Sequence, residues 1–321
     1  MTVVLYHEQI KKIISLNESL IPIIENAFLS LFEGKAITPP IMRLDIPEFH
    51  GEADVKTAYI KGLDSFAIKI ALGYFNNPSR GLPTSNGLMI LFNSETGSLK
   101  GVLLDQGYLT DIRTAVAGAI ASKHLANLEV VNVGIIGSGM QAQLQLQALM
   151  LVRKPTTAYV WGRDQTKTAT YIDRMKKKIN INFHQCLNIE EVCKNSEIII
   201  TTTPSTEPLI KEEWLKKGMH ITAMGSDAEH KNELDPMIIK SCSLYVPDKQ
   251  SQTNVLGELH HAIKKQLVDI NEKFTELGEV IKNPNLGRKT REDITVCDLT
   301  GTGVQDTAIA RHTFDLANTI I

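Results

Sequence analysis

Between Glu129 and Gln145 the chain reads EVVNVGIIGSGMQAQLQ, and no other stretch constrains the fold as tightly. A β-branched run leads into a turn, Gly137-Ser138-Gly139. Met140 and Gln141 then open a segment with apolar residues at helical spacing. A strand, a turn free of side chains and a helix start with unpaired N–H groups are what a dinucleotide pyrophosphate needs. A G-x-G-x-x-A string alone is often only strand–loop–helix punctuation, so the rest of the chain has to be weighed with it.

Downstream, β-like runs alternate with helical ones: Ala158–Trp161, a helix to Lys178, Ile181–Phe183, a helix near Ile189–Lys194, Ile198–Thr202, a helix near Lys211–Leu215, His220–Met224 and Ser243–Val246. Strands separated by helices indicate a Rossmann-type, doubly wound parallel sheet in an α/β chain. Upstream the pattern differs. Helical spacing covers residues 8 to 33, and after Thr38-Pro39-Pro40 come short strand-like runs (Ile41–Ile46, Val55–Ile60, Phe66–Tyr74, Gly87–Asn93, Lys100–Asp105) with turn residues between them. A small-residue helix, Ala115–Leu125, suits close packing, with a partner subunit as one candidate, and a last amphipathic helix follows Gly301-Thr302-Gly303. For 321 residues two domains are expected. The reading is a dinucleotide-binding domain, 121–299, inserted in a mixed α+β substrate-binding and dimerisation domain, 1–120 plus 300–321.

A net charge of −2 gives no electrostatic case for nucleic acid or a membrane surface, and no apolar run approaches the ~20 residues of a membrane span. Cys186, Cys193, Cys242 and Cys297 lack metal or disulfide-framework spacing. The histidines show no metal-ligand spacing either, so no metal is expected. The residues MTVVLYHEQI do not read as a signal peptide, and a cytoplasmic location is the expectation.

Several residues are candidates for chemistry. Lys69 lies in an otherwise apolar strand, where an ammonium is costly unless an anion meets it. Arg113 begins a helix, where a cation opposes the helix dipole. With Arg43 they form a cationic set that would clamp a carboxylate or a phosphate, although structural ion pairs would explain them equally. After the second strand of the alternating part, Arg163 stands where a 2′-phosphate would bind, favouring NADP(H), while Asp164 one place later would suit the ribose of NAD(H). Met224-Gly225-Ser226-Asp227 and Thr202-Thr203-Pro204 end late strands, on the rim where such sheets hold ligands. Asp227 would relay a proton at a substrate nitrogen or simply cap a helix.

Taken in order, a series of segments resembles the ornithine cyclodeaminase/μ-crystallin family across nearly the whole chain. It comprises Lys69, Asn77-Pro78, Gly81-Leu82-Pro83, Leu109-Thr110, Arg113-Thr114-Ala115, Gly137-Ser138-Gly139-Met140-Gln141-Ala142, Thr202-Thr203-Pro204, Gly225-Ser226-Asp227, Asn232-Glu233-Leu234, Glu276-Leu277-Gly278-Glu279, Ile294-Thr295-Val296, and Gly303 with Asp306. The resemblance implies a homodimer, a nicotinamide cofactor, and amino or imino acid substrates. It implies that Arg43, Lys69 and Arg113 hold the substrate carboxylate and that Thr84 lines the same pocket. Asp227 would meet the nitrogen, and Thr110, Thr114 and Gly303 would join the glycine turn, Arg163, Thr202, Thr203 and Met224–Ser226 around the cofactor. The cyclodeaminase pattern carries a carboxylate about 13 residues before the active-site lysine to receive a distal ammonium; here Lys56 stands there. That departure, Arg163, and a likeness of residues 220–233 and 256–261 to an ectoine-utilisation cyclodeaminase-like branch favour net imine reduction. Δ1-Pyrroline-2-carboxylate to L-proline is the expected reaction, with ornithine cyclodeamination as the alternative.

Overall fold

A computed structural model describes residues 2–320. The chain forms two compact units, one built from the chain up to Arg113 together with the segment from Thr302, the other from Thr114–Gly301. The first unit runs β1 (Val3–Tyr6), α1 (His7–Ile13), α2 (Leu20–Phe32), β2 (Ala36–Ile37), β3 (Met42–Ile46), β4 (Gly51–Ile60), β5 (Ser65–Tyr74), β6 (Ser85–Asn93) and β7 (Leu99–Leu104), then enters α3 (Tyr108–Leu125). The boundary falls inside α3 after Arg113, earlier than the expected residue 120. The single helical stretch expected over 8–33 is two helices. Asn17 accepts from the Ser19 backbone N–H at 2.9 Å, a local turn that competes with helix propagation. β1, only four residues long, was not expected, and it adds in parallel to β7.

The sheet of this unit has the order β1-β7-β6-β5-β4-β2, with β3 also on β4, and is antiparallel apart from the β1–β7 pair. Register puts Lys56 directly opposite Lys69, and Arg43 opposite Asp54 one pair along on the same face.

The second unit continues through β8 (Asn132–Ile136), α4 (Met140–Val152), β9 (Thr157–Trp161), α5 (Gln165–Lys176), β10 (Asn182–Gln185), α6 (Ile189–Asn195), β11 (Ile198–Thr201), β12 (His220–Ala223), α7 (Met237–Ser241), β13 (Leu244–Pro247), α8 (Gln250–Thr253), α9 (Glu258–Lys264), α10 (Leu277–Lys282) and β14 (Thr295–Asp298). Its seven strands are all parallel in the order β10-β9-β8-β11-β12-β14-β13. This is the doubly wound Rossmann-type sheet, with the reversal of strand order between β8 and β11 opening a crevice at their carboxyl ends. Two local expectations fail. The segment near Lys211–Leu215 is one 3-10 turn, Glu212–Trp214, and β14, not foreseen as a strand, inserts between β12 and β13. The small residues of α3 are used within the chain. A Cβ at Gly118 would lie 1.9 Å from Gln145 Oε1 of α4, and the Gln145 amide donates to Thr114 O at 3.0 Å.

The last helix, α11 (Gly303–Ile320), belongs to the first unit. Thr307 Oγ1 donates to Ala58 O at 2.9 Å and accepts from Ala67 N at 3.1 Å, stitching α11 to β4 and β5. The sheet face under it buries Ala58, Ala67, Met89 and Leu103. The opposite face alternates in register with it and is apolar yet only partly covered: Ile68, Ile70, Leu88, Ile90 and Val102 are half-buried, and Val4, Met42, Leu44 and Tyr59 are exposed.

Candidate active site

In the second unit the glycine turn is dictated by space. Gly137 has φ +121°, and a Cβ there would sit 2.4 Å from Thr202 Oγ1 at the exit of β11. At Gly139, the N-cap residue of α4, a Cβ would meet nothing within 4 Å. No side chain caps α4 and its first turn carries no acid, so its N-terminal N–H groups and positive dipole end remain for an anion. This is a cradle of the right chemistry for a pyrophosphate. Beyond β9, Gly162 packs under Ser138 and Thr168, and a Cβ there would fall 2.6 Å from Thr168 Oγ1. Arg163 is exposed, whereas Asp164 is occupied in capping α5, accepting from Thr166 N and Lys167 N at 2.9 and 3.0 Å.

The exits of β11 and β12 carry Thr202, Thr203 and Met224–Asp227. Ser226 is buried and its hydroxyl donates to Lys231 O. Asp227 caps no helix, because residues 228–230 are irregular. Its Oδ1 instead pairs with buried Lys231 Nζ at 2.8 Å, four residues on. The turn at Thr300-Gly301 is held by Asp248, which accepts from Thr300 Oγ1 at 2.8 Å and Gly301 N at 2.7 Å.

In the first unit a buried ionic cluster sits where β4, β5, α3 and α11 meet. Asp306, in the first turn of α11, receives Arg113 Nε at 2.8 Å and Lys69 Nζ at 3.1 Å; all three groups are almost fully buried. Gln305 Oε1 accepts from Arg113 Nη1 at 3.3 Å. Lys56, 5% exposed, faces Lys69 across the β4–β5 pair. Burial pushes the Lys69 ammonium down to about 7, helped by Arg113 and Lys56 and opposed by Asp306. Burial would raise the Asp306 carboxyl, but Arg113 and Lys69 outweigh it and hold it below the ordinary value. α11 reaches this place because Gly303 has no side chain: a Cβ there would lie 2.2 Å from Thr57 O.

The structure thus brings Lys69 and Arg113 together, and adds Asp306 and Lys56. Arg43 shares their sheet face but is bound by carboxylates, with Glu52 at 2.7 Å, Asp45 at 2.9 Å and Asp54 at 3.6 Å. Those acids hold its proton more firmly than usual against the effect of burial. Thr84, just before β6, lines a cavity of about 320 Å³ with Leu72, Tyr74, Arg80 and Asn86. Leu72 lies on the sheet face opposite Lys69. Thr110 and Thr114 are half-buried in α3, on either side of the unit boundary. Reasoning from the residues alone gave Asp306 no role. Its signal was an acid in the first turn after Gly-Thr-Gly, where a helix dipole favours it.

Residues 1–319 match the sequence pattern of the ornithine cyclodeaminase/mu-crystallin family. A protein of Sinorhizobium fredii described as an uncharacterized cyclodeaminase is 48% identical over 315 residues, covering 98% of this chain and 95% of that one. Among solved structures, the Δ1-pyrroline-2-carboxylate reductase of Thermococcus litoralis, in complex with NADH and L-proline, superposes with a TM-score of 0.93 at 26% identity, covering 99% of this chain and 98% of that one. An archaeal alanine dehydrogenase dimer with bound NAD gives 0.90 at 32% identity, covering 99% and 97%. The chain belongs to the ornithine cyclodeaminase/mu-crystallin family.

Proposed function

We propose that the protein is a nicotinamide-dependent reductase of an imino or ketimine carboxylate, with Δ1-pyrroline-2-carboxylate going to L-proline as the leading reaction. The observation that carries this reading is the buried Lys69–Arg113–Asp306 cluster. Three cations, Lys56, Lys69 and Arg113, gather around Asp306 in a water-poor place. A site of that charge attracts a carboxylate, and an arriving carboxylate restores the full charge on Lys69. The likeness to a reductase solved with NADH and L-proline supports the same substrate class.

When bound, the reduced nicotinamide supplies the hydride that adds to the imine carbon; the C=N bond becomes C–N and the nitrogen keeps a proton. The chain's own residues do the rest. Arg113 and Lys69 fix the carboxylate and so orient the adjacent C=N carbon. Asp227, held 2.8 Å from Lys231 Nζ, favours the protonated iminium, the better hydride acceptor. Gly137, Ser138, Gly139 and the start of α4 receive the pyrophosphate. Arg163, exposed beside the Gly162 turn, favours NADP(H), with NAD(H) as the alternative.

The apolar, partly covered sheet face of the first unit supports a homodimer, as in the alanine dehydrogenase dimer. A cytoplasmic location remains part of this reading. Among the described residues no helix is long and apolar enough to cross a membrane.

The test is a side-by-side assay of NADH and NADPH against pyrroline-2-carboxylate, pyruvate plus ammonia, and ornithine. Oxidation of reduced cofactor with the cyclic imine is expected. Ammonia release from ornithine without turnover of any imine would replace this reading with a cyclodeaminase.

A further inference from the structure

The Asn232-Glu233-Leu234 segment has no part in the binding groups described above, yet it contains the most thoroughly hydrogen-bonded carboxylate at the sheet's rim. Glu233 is fully buried between the exits of β11 and β12. Its Oε1 accepts from Thr203 N at 2.6 Å and Thr203 Oγ1 at 2.7 Å; its Oε2 accepts from Thr201 Oγ1 at 2.6 Å and Gly225 N at 2.8 Å. Each oxygen therefore holds one backbone N–H and one hydroxyl, and the two backbone N–H groups belong to different strand exits.

The carboxylate is itself anchored. Glu258 accepts from Glu233 N at 2.9 Å, Leu234 N at 3.1 Å and Asn232 Nδ2 at 2.6 Å. The Glu258 N–H in turn donates to Asp298 Oδ2, at the end of β14, at 2.8 Å. Three buried acids thus tie the carboxyl ends of β11, β12 and β14 together. The fit leaves no slack: a Cβ at Gly225 would lie 2.2 Å from Thr203 O and 2.5 Å from Glu233 Oε2. A buried acid is costly unless donors meet it, and stability alone would be served as well by an apolar filler of the same shape. What the acid adds is a fixed spacing between the Thr202-Thr203 and Met224–Ser226 segments.

We propose that Glu233 is a positioning residue for the nicotinamide half of the cofactor: it touches neither cofactor nor substrate, but sets the gap between the two strand exits that receive that half. The proposal rests on the reading that this rim holds the nicotinamide end while the Gly137 turn holds the pyrophosphate.

The Glu233→Gln variant separates this role from simple support. It conserves volume, but either orientation of the amide sets its NH2 against a backbone N–H, of Gly225 or of Thr203, so one exit is released. The full-length protein is titrated with NADH and with ADP-ribose, which carries the pyrophosphate but no nicotinamide. NADH affinity is expected to fall at least tenfold while ADP-ribose affinity changes less than threefold, with the melting temperature of the ligand-free protein recorded alongside. Unchanged NADH affinity, or equal losses for both ligands, overturns the proposal. If Glu233→Gln does not fold, Thr201→Val removes one donor from Oε2 within buried β11. It should give the same asymmetry in smaller measure, about threefold against none, and symmetry there is equally fatal. Wild-type protein that binds NADH no better than ADP-ribose would instead sink the underlying reading of the rim.

Discussion

Lys69 offers the sharpest test of the cation cluster, because its cost to the fold depends on pH in a direction that can be worked out. Its ammonium is held at about 7 against an ordinary 10.5, a gap of 3.5 tenfold steps. At ~1.4 kcal/mol per step, keeping the group protonated in the folded chain costs ~5 kcal/mol. The folded value lies below the unfolded one, so the Lys69 contribution is present in full above pH 10.5 and is lost as the pH falls toward 7. Lys69→Met removes this dependence. It also removes a partner of Asp306, which keeps Arg113 at 2.8 Å; the attraction between Lys69 and Asp306 is already part of what sets the Lys69 value, so it adds no further dependence on pH. The sign of the variant's stability change at any one pH is therefore a balance of two terms. Its drift with pH is not.

Thermal melts of ligand-free wild type and Lys69→Met at pH 7, 8, 9 and 10 should show wild type gaining on the variant as pH rises. At roughly 2 °C per kcal/mol for a chain of this size, the full drift corresponds to ~10 °C, of which about three quarters falls between pH 7 and 10, and at least ~4 °C should survive local relaxation. A difference that stays flat within about 1 °C would refute a buried, neutral-leaning Lys69 and with it the claim that an arriving carboxylate restores its charge.

Other outcomes follow from the same geometry. Arg113→Ala strands Asp306 and removes a carboxylate partner, so kcat/KM for the imine should fall by two to three powers of ten, within the ~2–5 kcal/mol typical of a truncated buried charge partner; a loss under fivefold in steady-state assays would remove Arg113 from the site. Gly137→Ala forces a Cβ to within 2.4 Å of Thr202 Oγ1 at φ +121°, so NADH titration should show little or no binding by a folded protein. Arg163→Ala should raise KM for NADPH at least tenfold with little change for NADH; equal effects on both would end the NADP(H) preference. Ile90→Glu, on the half-buried apolar sheet face, should shift the protein from dimer to monomer in sedimentation, and an unaffected dimer would place the interface elsewhere.

How much of this was legible in the chain depends on the range of the interaction. The Rossmann-type sheet and its glycine turn could be read because β-branched runs, glycines and 3.6-residue periodicity are local signals, and Gly137 and Gly139 serve the backbone itself. Lys69 stood out because an ammonium in an apolar strand is anomalous without its partner being known. β14 was missed for the opposite reason: Thr295–Asp298 is four residues long, and its place between β12 and β13 is a crossover that no local pattern records. The break between α1 and α2 was hidden because apolar periodicity resumes in phase after a turn made by Ser15 and Asn17.

Local patterns along the chain were enough for the doubly wound sheet and the place of its turn, and a series of segments in fixed order was enough for the family. Which charges meet was settled by packing in three dimensions. It joined Lys69 and Arg113 through Asp306 of α11, 193 residues on from Arg113, because Gly303 lets that helix touch the β4 backbone. It gave Arg43 to Glu52 and Asp45, paired Asp227 with Lys231 rather than with a helix end, and set Glu233 between two strand exits. Ion pairs and buried hydrogen bonds are chosen by proximity in space, and proximity is fixed by packing, which residue spacing along the chain does not encode.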